Sequence, residues 1–428
     1  MKAIISNKIY LNPPKDREGL KKIYSKLTYK IRKKGATPAF DKVETIKNYS
    51  IVSPTVISIP QGRADLVPEG YVVEDRRVYN SVPFPSPKIP LRADQQEVVD
   101  GANDSCFINA KPGWGKTFAA LHLAAKLGQK TLVVTHTVDL RKQWEKEVQQ
   151  LFDYPAGVIG SGQFDIEDHF IVIANIQTLV KVFDKVEKEF GTIILDEAHH
   201  CPASSFSDVV NRSHARYRVA LSGTMERLDG KHVMFPDLFG TLVFRPAPAN
   251  VMHPEVHVIN TGIVFPREGD WATKINALLY DPGYQKTVTT ICKSYAKLGH
   301  KVLVVADRVD FLKNVAEYLG DRALLITGSE GDRDNIGDRL KEDYDFIVAS
   351  RSIFSEGISV NILSCVVMPQ PSGNKVLLDQ LTARVTRKYP DKLQPIIVDI
   401  KLKGGSTGPQ YESRLEFYTG QGWNVRQI

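Results

Sequence analysis

The sequence predicts an α/β protein of two tandem parallel-sheet domains behind a small α+β domain. Three observations carry this. Short apolar runs begin to alternate with helical periodicity after residue 90, the pattern blurs from Thr241 to about Asp281, and it then resumes to about residue 400. A glycine-lysine loop follows the first run of the first series, and the second series has none. The two domains are therefore alike in size and different in chemistry.

Bulk properties narrow the class. A chain of 428 residues suits about three domains of roughly 150 residues. With 42% hydrophobic and 25% charged residues the composition is that of an ordinary globular protein. The longest apolar runs, Val302–Ala306 and Pro395–Ile400, are strand-sized. They fall far short of the roughly 18 residues of a membrane span. The N-terminus lacks the pattern of a secretory signal, so a soluble, cytoplasmic protein is expected. Cys106, Cys201, Cys292 and Cys365 lie far apart without a CxxC pair, which reads as buried thiols of a reduced compartment. Lysine and arginine number 56 against 49 acids, a net charge of +7, which suits a polyanionic partner.

Residues 1–88 read as mixed strands and turns with one or two helices, an accessory domain. Within it "KDREGLKKIYSKLTYKIRKK" (15–34) is strongly basic with interleaved tyrosines. It is either a solvated amphipathic face or a phosphate-contacting surface, and the residues alone leave both open. "SVPFPSPKIP" (81–90) is proline-rich and reads as a stiff linker.

The first parallel-sheet domain is set at 89–245. "SCFIN" is a buried strand, and "TFAALHLAAKLG" is a helix ended by Gly128 with Leu121, Ala124 and Ala125 on one face. "TLVVTH" is the next strand. Thr137 then caps a helix whose Leu140, Trp144, Val148 and Leu151 form one stripe. "FIVIA", "TIIL" and "RVALS" continue the sheet. A connection is set at 246–280. The second domain, 281–428, has the strands "KVLVVA", "RALLIT", "DFIVAS", "CVVMP" and "PIIVDI".

"AKPGWGKT" (110–117), between strand and helix, is a phosphate-binding loop with Ala110 where the common pattern has glycine. Such a turn points backbone N–H groups at a phosphate, and the helix dipole adds to the attraction. Gly113 and Gly115 allow the turn, while Pro112 and Trp114 complete the loop. Lys116 can reach the β- and γ-phosphates, and Thr117 can ligate Mg²⁺. Ala110 is small enough provided its φ is negative. In "TIILDEAHH" (192–200) two acids follow a buried strand. Asp196 is placed to hold Mg²⁺ directly or through water, and Glu197 to orient the attacking water.

Loop and "DEAHH" together resemble the superfamily 2 helicases and translocases, whose loop often begins with alanine. Further segments resemble that family in order. "LRADQ" (91–95) is similar to its adenine-reading segment, implying nucleotide contacts from Arg92 and Gln95. "LVVTHTVDLRKQW" (132–144) and "IVIANIQTL" (171–179) resemble segments touching the nucleic-acid backbone, implying contacts from Thr135, Arg141, Gln177 and Thr178. "LSGTMER" (221–227) resembles the Ser/Thr-Ala-Thr coupling segment, with Gly223 in place of alanine. In the second domain "VLVVADRVDFL", "LITGS" and "ASRSIFSEGISV" imply backbone contacts from Arg308, Thr327, Gly328, Ser350 and Arg351, and a nucleotide contact at Gly357. Ser359 replaces the family's aspartate. "QLTARVTR" (380–387) resembles Gln-x-x-Gly-Arg-x-x-Arg, with Ala383 for glycine. It implies that Gln380 orients water. Arg384 and Arg387, spaced to share a helix face, would act as arginine fingers.

The resemblance runs from about Leu91 to Ile400. It is most similar to the XPB/RecG-like side of the superfamily, in particular the UvsW-type branched-DNA helicases of phages. It implies tandem RecA-like domains, ATP and Mg²⁺ as cofactors, and DNA as partner, whether branched, forked, single- or double-stranded. A monomer is expected, working in a bacterial or phage-infected cytoplasm near the nucleoid. The expected activity is ATP-dependent remodelling of branched DNA by fork regression or junction migration in replication, recombination or repair. The alternatives are a duplex translocase motor of a restriction or remodelling complex and, given Gly223, Ser359 and Ala383, a scaffold that binds nucleic acid without hydrolysing ATP.

Overall fold

The computed structural model describes residues 1–33, 42–200, 204–223, 230–247, 251–327, 339–340, 343–351, 360–404 and 407–428. The chain forms two compact units, Met1–Ala249 and Asn250–Ile428. Among the described residues no helix is long and apolar enough to cross a membrane.

The first unit holds an eight-stranded sheet in the order Gln163–Asp165, Gly157–Gly160, Ile171–Asn175, Thr131–Thr135, Thr192–Leu195, Tyr217–Ser222, Cys106–Asn109, Leu242–Phe244. All pairs are parallel except the edge pair of Gly157–Gly160 with Gln163–Asp165. Residues alternate between two cores. Ile171 and Ile173 join the cluster under the helices Lys116–Leu127 and Val138–Phe152, while Val172 and Ala174 join the cluster on the opposite face. Both helices begin and end as the residues dictate. Thr137 Oγ1 accepts the Leu140 N–H at 3.2 Å, and Gly128 closes the loop helix at φ 62°.

The second unit carries a seven-stranded, all-parallel sheet in the order Ala323–Ile326, Phe346–Ser350, Val302–Ala306, Cys365–Met368, Ile396–Lys403, Glu255–Val264, Asn424–Gln427. Val302, Val304 and Ala306 face one core, and Leu303 and Val305 the other. The interval read from sequence as a connection contains the strand Glu255–Val264 and the helix Trp271–Leu279. The former has its buried positions, Val256 and Val258, where the short edge strand Asn424–Gln427 pairs with it, and its exposed ones beyond that pairing. The C-terminal tail is likewise ordered, as the helix Thr407–Gly420 and that edge strand.

The N-terminal residues form a five-stranded sheet backed by the helix Arg17–Lys26, with Ala3, Ile5, Ile9, Leu11, Ile23 and Leu27 in its core. This small fold is fastened to the eight-stranded sheet by buried charge. Asp237, with no exposed surface, accepts from Tyr29 (2.8 Å), Asn48 (2.6 Å) and Arg63 (3.2 Å). The buried Arg218 guanidinium donates to the carbonyls of Asn7 (3.0 Å) and Ser213 (2.8 Å). The proline-rich segment is not a free spacer. Val82 N–H bonds Gly128 O at 3.1 Å, Lys88 N–H bonds Leu151 O at 2.8 Å, and Phe84 packs against Phe152 and Phe170. Its non-proline amides need acceptors, and the ends of neighbouring elements supply them.

Candidate nucleotide and nucleic-acid site

The phosphate-binding loop leaves the strand Cys106–Asn109 and enters the helix Lys116–Leu127. Ala110 is fully buried, keeps a negative φ and donates its N–H to Ser222 O at 3.0 Å. A methyl group therefore fits where the common pattern has glycine. The left-handed turns fall on Gly113 (φ 87°) and Gly115 (φ 89°), conformations that side chains oppose. At Gly115 an added Cβ would also stand 2.5 Å from Gln95 Nε2. Lys116 Nζ reaches back to Ala110 O at 3.1 Å. Thr117 lies in the first helical turn, and Pro112 lines the loop from the other side. Arg92 and Gln95 hold the loop from outside. Both donate to Trp114 O, at 2.5 and 2.9 Å, while Gln95 Oε1 accepts the Arg92 N–H at 3.1 Å. In this structure the Gln95 amide is engaged by the loop itself.

Gly223, the departure from the family's alanine, has a physical reason. A Cβ there would lie 3.3 Å from Pro112 Cδ. The loop's proline would have to give by a few tenths of an ångström to admit a methyl group.

Asp196 and Glu197 follow the strand Thr192–Leu195. Asp196 is 6% exposed. Its Oδ2 accepts the Trp144 indole N–H at 2.8 Å and its Oδ1 the Glu197 amide at 2.9 Å. Burial and the adjoining Glu197 charge hold the Asp196 carboxyl above its ordinary range, against the Trp144 bond and the Lys116 charge. Glu197 goes the other way. Burial opposes its charge, but the His199 contact and the Lys116 charge outweigh it and keep this carboxylate ionised. Glu197 adopts φ 49°, an uncommon conformation for a side chain of its size. His199 Nδ1 lies 3.2 Å from Glu197 Oε2. A buried carboxylate held by two N–H donors, and a threonine hydroxyl in the first turn of the loop helix, are hard-oxygen donors of the kind Mg²⁺ takes together with phosphates and water. The residues thus fit the ion.

At the strand ends of the first unit Thr135 is buried, its hydroxyl shared between Thr137 O and Ala174 O, both at 3.3 Å. Gln177 is exposed and donates to His136 O at 2.8 Å, with Thr178 half-buried beside it. Arg141 differs from expectation in its surroundings. It is buried, with NH1 on Glu145 (2.9 Å) and NH2 on Ser161 (3.2 Å). The cause is helical phase, since Arg141 stands three residues before Trp144 on the inward stripe.

In the second unit Arg308 donates to Asn276 Oδ1 at 2.7 Å, and Arg351 pairs with Asp307 at 2.9 Å. Ser350 is buried at the end of its strand, and Thr327 follows Ala323–Ile326 half-exposed. Gln380 and Arg384 lie half-buried on the helix Lys375–Thr386, with Ala383 buried between them. Arg387 is the first residue beyond that helix, bridged through its backbone to Val251, while Met252 N–H bonds Thr386 O at 2.7 Å. Helix geometry therefore places Arg384, and the pairing of its own main chain places Arg387. Gly328, Gly357, Ser359 and Cys201 lie outside the described residues.

Residues 88–227 match the family described as the res subunit of type III restriction enzymes, and residues 286–389 match the helicase conserved C-terminal domain. The probable helicase D10 of Escherichia phage T5 is 38% identical over 438 residues, spanning 99% of this chain and 96% of that protein. The chain belongs to the superfamily 2 helicases of the UvsW/XPB type. It is an enzyme, an ATP-dependent helicase. A second relative, the DNA 3'-5' translocase XPB2 of Sulfurisphaera tokodaii (strain DSM 16993 / JCM 10545 / NBRC 100140 / 7), is 32% identical over 382 residues, 77% of this chain and 86% of that protein. The helicase domain of Pyrococcus furiosus Hef shares the fold, with a TM-score of 0.51 at 14% identity over 76% of this chain and 98% of that one. Tandem RecA-like domains describe the two sheets.

Two features of this helicase escaped the sequence reading. Trp144 appears there only as a core residue, because its stripe explains it fully. His199 appears only as part of "DEAHH", and its bond to Ser222 joins residues 23 positions apart. The tyrosines of the basic N-terminal stretch are structural. Tyr29 serves Asp237, and Tyr24 stacks on Tyr49 at 4.3 Å. Lys21, Lys22, Lys26 and Lys30 remain exposed.

Proposed function

We propose that this helicase uses ATP and Mg²⁺ to move along DNA and to remodel branched DNA by fork regression or junction migration. The observation that carries the motor half is the loop and carboxylate geometry around Lys116, Asp196 and Glu197. Lys116 binds the β- and γ-phosphates. Thr117 and Asp196 hold Mg²⁺, which supplies charge neutralisation on the phosphate oxygens. Glu197, kept ionised, accepts a proton from the attacking water. Gln380 orients that water, and Arg384 and Arg387 stabilise charge on the departing γ-phosphate. Arg92, Gln95, the loop from Pro112 to Gly115 and Gly357 seat the nucleotide.

Thr135, Gln177 and Thr178 on the first unit, and Arg308, Thr327, Gly328, Ser350 and Arg351 on the second, would grip the DNA backbone. Arg141 belongs to this set through its helix, since its own guanidinium is engaged inside the fold. Backbone contacts give low sequence specificity and strong salt dependence. The branched substrate is supported by the family likeness and by the accessory domain, residues 1–88. Its exposed lysines ride on a fold fastened to the first sheet by Asp237 and Arg218, so a duplex held there would keep a set position relative to the strand ends. Working as a monomer is part of the same reading.

The test is ATPase and strand-displacement activity on single-stranded, duplex, forked and four-way DNA, with RNA controls. Forked and four-way DNA are expected to stimulate best, and Lys116→Ala and Glu197→Gln to abolish turnover. Equal stimulation by linear duplex, with translocation but no junction movement, would favour a duplex translocase motor. The match to the restriction res subunit and the translocase relative support that second reading.

A further inference from the structure

Two tryptophans of the same core are treated differently. Trp114, in the loop, and Trp144, in the helix Val138–Phe152, are each 1% exposed or less. Trp114 Nε1 has no hydrogen-bond partner among the described residues. Trp144 Nε1 donates to Asp196 Oδ2 at 2.8 Å. Of these two buried indoles Trp144 is the one that is paired, and its partner is the carboxylate that follows the strand Thr192–Leu195.

The path of the chain brings the pair together. Strands Thr131–Thr135 and Thr192–Leu195 are neighbours, with Val134 opposite Leu195, and Asp196 N–H bonds Val134 O at 3.1 Å. The chain leaving Thr135 turns at Thr137 into the helix. About two turns later Trp144 returns beneath the end of the adjoining strand. The ring is immobilised by close packing with the loop helix and the sheet.

An aspartate carboxylate turns easily about its last torsion, whose energy wells are broad. The Glu197 amide on Oδ1 leaves the plane free to tilt about that bond. A second donor on Oδ2, carried by a rigid ring, removes this freedom. An indole N–H only donates, so it cannot compete for a metal, and each carboxylate oxygen keeps lone-pair capacity. Orientation matters because Mg²⁺ demands near-ideal octahedral geometry.

We propose that Trp144 is a positioning residue for ATP hydrolysis: its indole N–H sets the plane of the Asp196 carboxylate at the metal side of the triphosphate. This rests on the reading of Asp196 given above. Phenylalanine at 144 would fill most of the same volume and keep the helix seated. It would leave Oδ2 desolvated and without direction.

The full-length protein is made with Trp144→Phe and, separately, with benzothienylalanine at 144, in which sulfur replaces the indole N–H at nearly constant shape. ATPase kcat and KM are measured at saturating DNA. Affinity for a fluorescent ATP analogue is measured in EDTA and in Mg²⁺. Both variants are expected to lose about tenfold in kcat with KM within about twofold, the scale of one hydrogen bond to a charged group. The gain in analogue affinity on adding Mg²⁺ should shrink about threefold or more, while affinity in EDTA and the melting temperature of the benzothienyl variant stay at wild-type values. A folded benzothienyl variant with wild-type kcat and wild-type Mg²⁺ gain overturns the proposal, as does an equal loss of affinity with and without Mg²⁺. Asp196→Asn separates the two readings. If it is inactive while the Trp144 variants are normal, only the positioning role falls. If it turns over like wild type, the metal role of Asp196 falls and the positioning role with it.

Discussion

His199 Nδ1 lies 3.0 Å from the Ser222 hydroxyl, and the same nitrogen lies 3.2 Å from Glu197 Oε2. The carboxylate beside the loop and the strand end that receives the Ala110 amide are thus joined through one ring atom. A proton on Nδ1 serves Glu197 as acceptor, and the serine hydroxyl can adapt to either tautomer. Removing the ring should cost more than removing the hydroxyl. His199→Ala is expected to lower DNA-stimulated kcat by about tenfold or more, and Ser222→Ala by about two- to fivefold. Steady-state ATPase at saturating ATP and DNA checks the ranking.

Gly115 and Gly223 should respond differently to alanine. At Gly115 the φ of 89° and the 2.5 Å approach to Gln95 act together. Gly115→Ala is expected to cost about 1–3 kcal/mol and most of the nucleotide affinity. At Gly223 only Pro112, at 3.3 Å, must give way. Gly223→Ala should cost about 1 kcal/mol or less, and Pro112→Ala in the same chain should recover part of it. Thermal melts and nucleotide titrations of the three variants test both statements.

Asp237 is the fastening of the N-terminal fold. Burial pushes its carboxyl above the ordinary range, while Asn48, Tyr29 and Arg63 hold the charge. Asp237→Ala leaves the buried face of Arg63 without one of its two carboxylates, since Asp65 still binds it at 2.9 Å. A loss of about 3 kcal/mol is expected. Limited proteolysis should then cut first within the N-terminal 75 residues, and denaturant melts should show the loss.

Arg322 bonds Asp343 and Asp345 at the edge of the second unit, and its hydrogen bonds hold the Asp345 carboxyl at about 2, below its ordinary 3.8. A depressed carboxylate contributes stability that is present above the unfolded value and fades as pH falls through the folded one. Arg322→Ala should therefore lower the melting temperature at neutral pH by a small amount, about 1–3 °C for so exposed a pair. The gap should narrow between pH 3.8 and about 2. Melts across that range, at low and high salt, check the sign and the screening.

Local signals were well expressed in the residues. The loop helix ends at Gly128 and the next helix starts at Thr137, because cap chemistry and a 3.6-residue stripe are written in adjacent positions. Arg141 shows where such reading stops. The family resemblance implies a nucleic-acid contact from Arg141, yet its helical phase turns it inward to Glu145 and Ser161. The interval around Glu255–Val264 was illegible for another reason. Its apolar residues are interrupted by Glu255, His257, Asn260, Thr261 and Gly262, so no continuous run or strict alternation marks it.

Periodicity, capping residues and the order of short motifs needed no coordinates to specify an α/β helicase with its phosphate loop and paired acids, since each depends on residues close in the chain. Folding alone decided that Trp144 would meet Asp196, that His199 would reach Ser222 and that Asp237 would tie down the first strands. Those contacts join segments up to 208 positions apart, as in Tyr29 to Asp237. A hydrogen bond depends on distance and angle, which sheet order and helix phase set together and no single segment encodes.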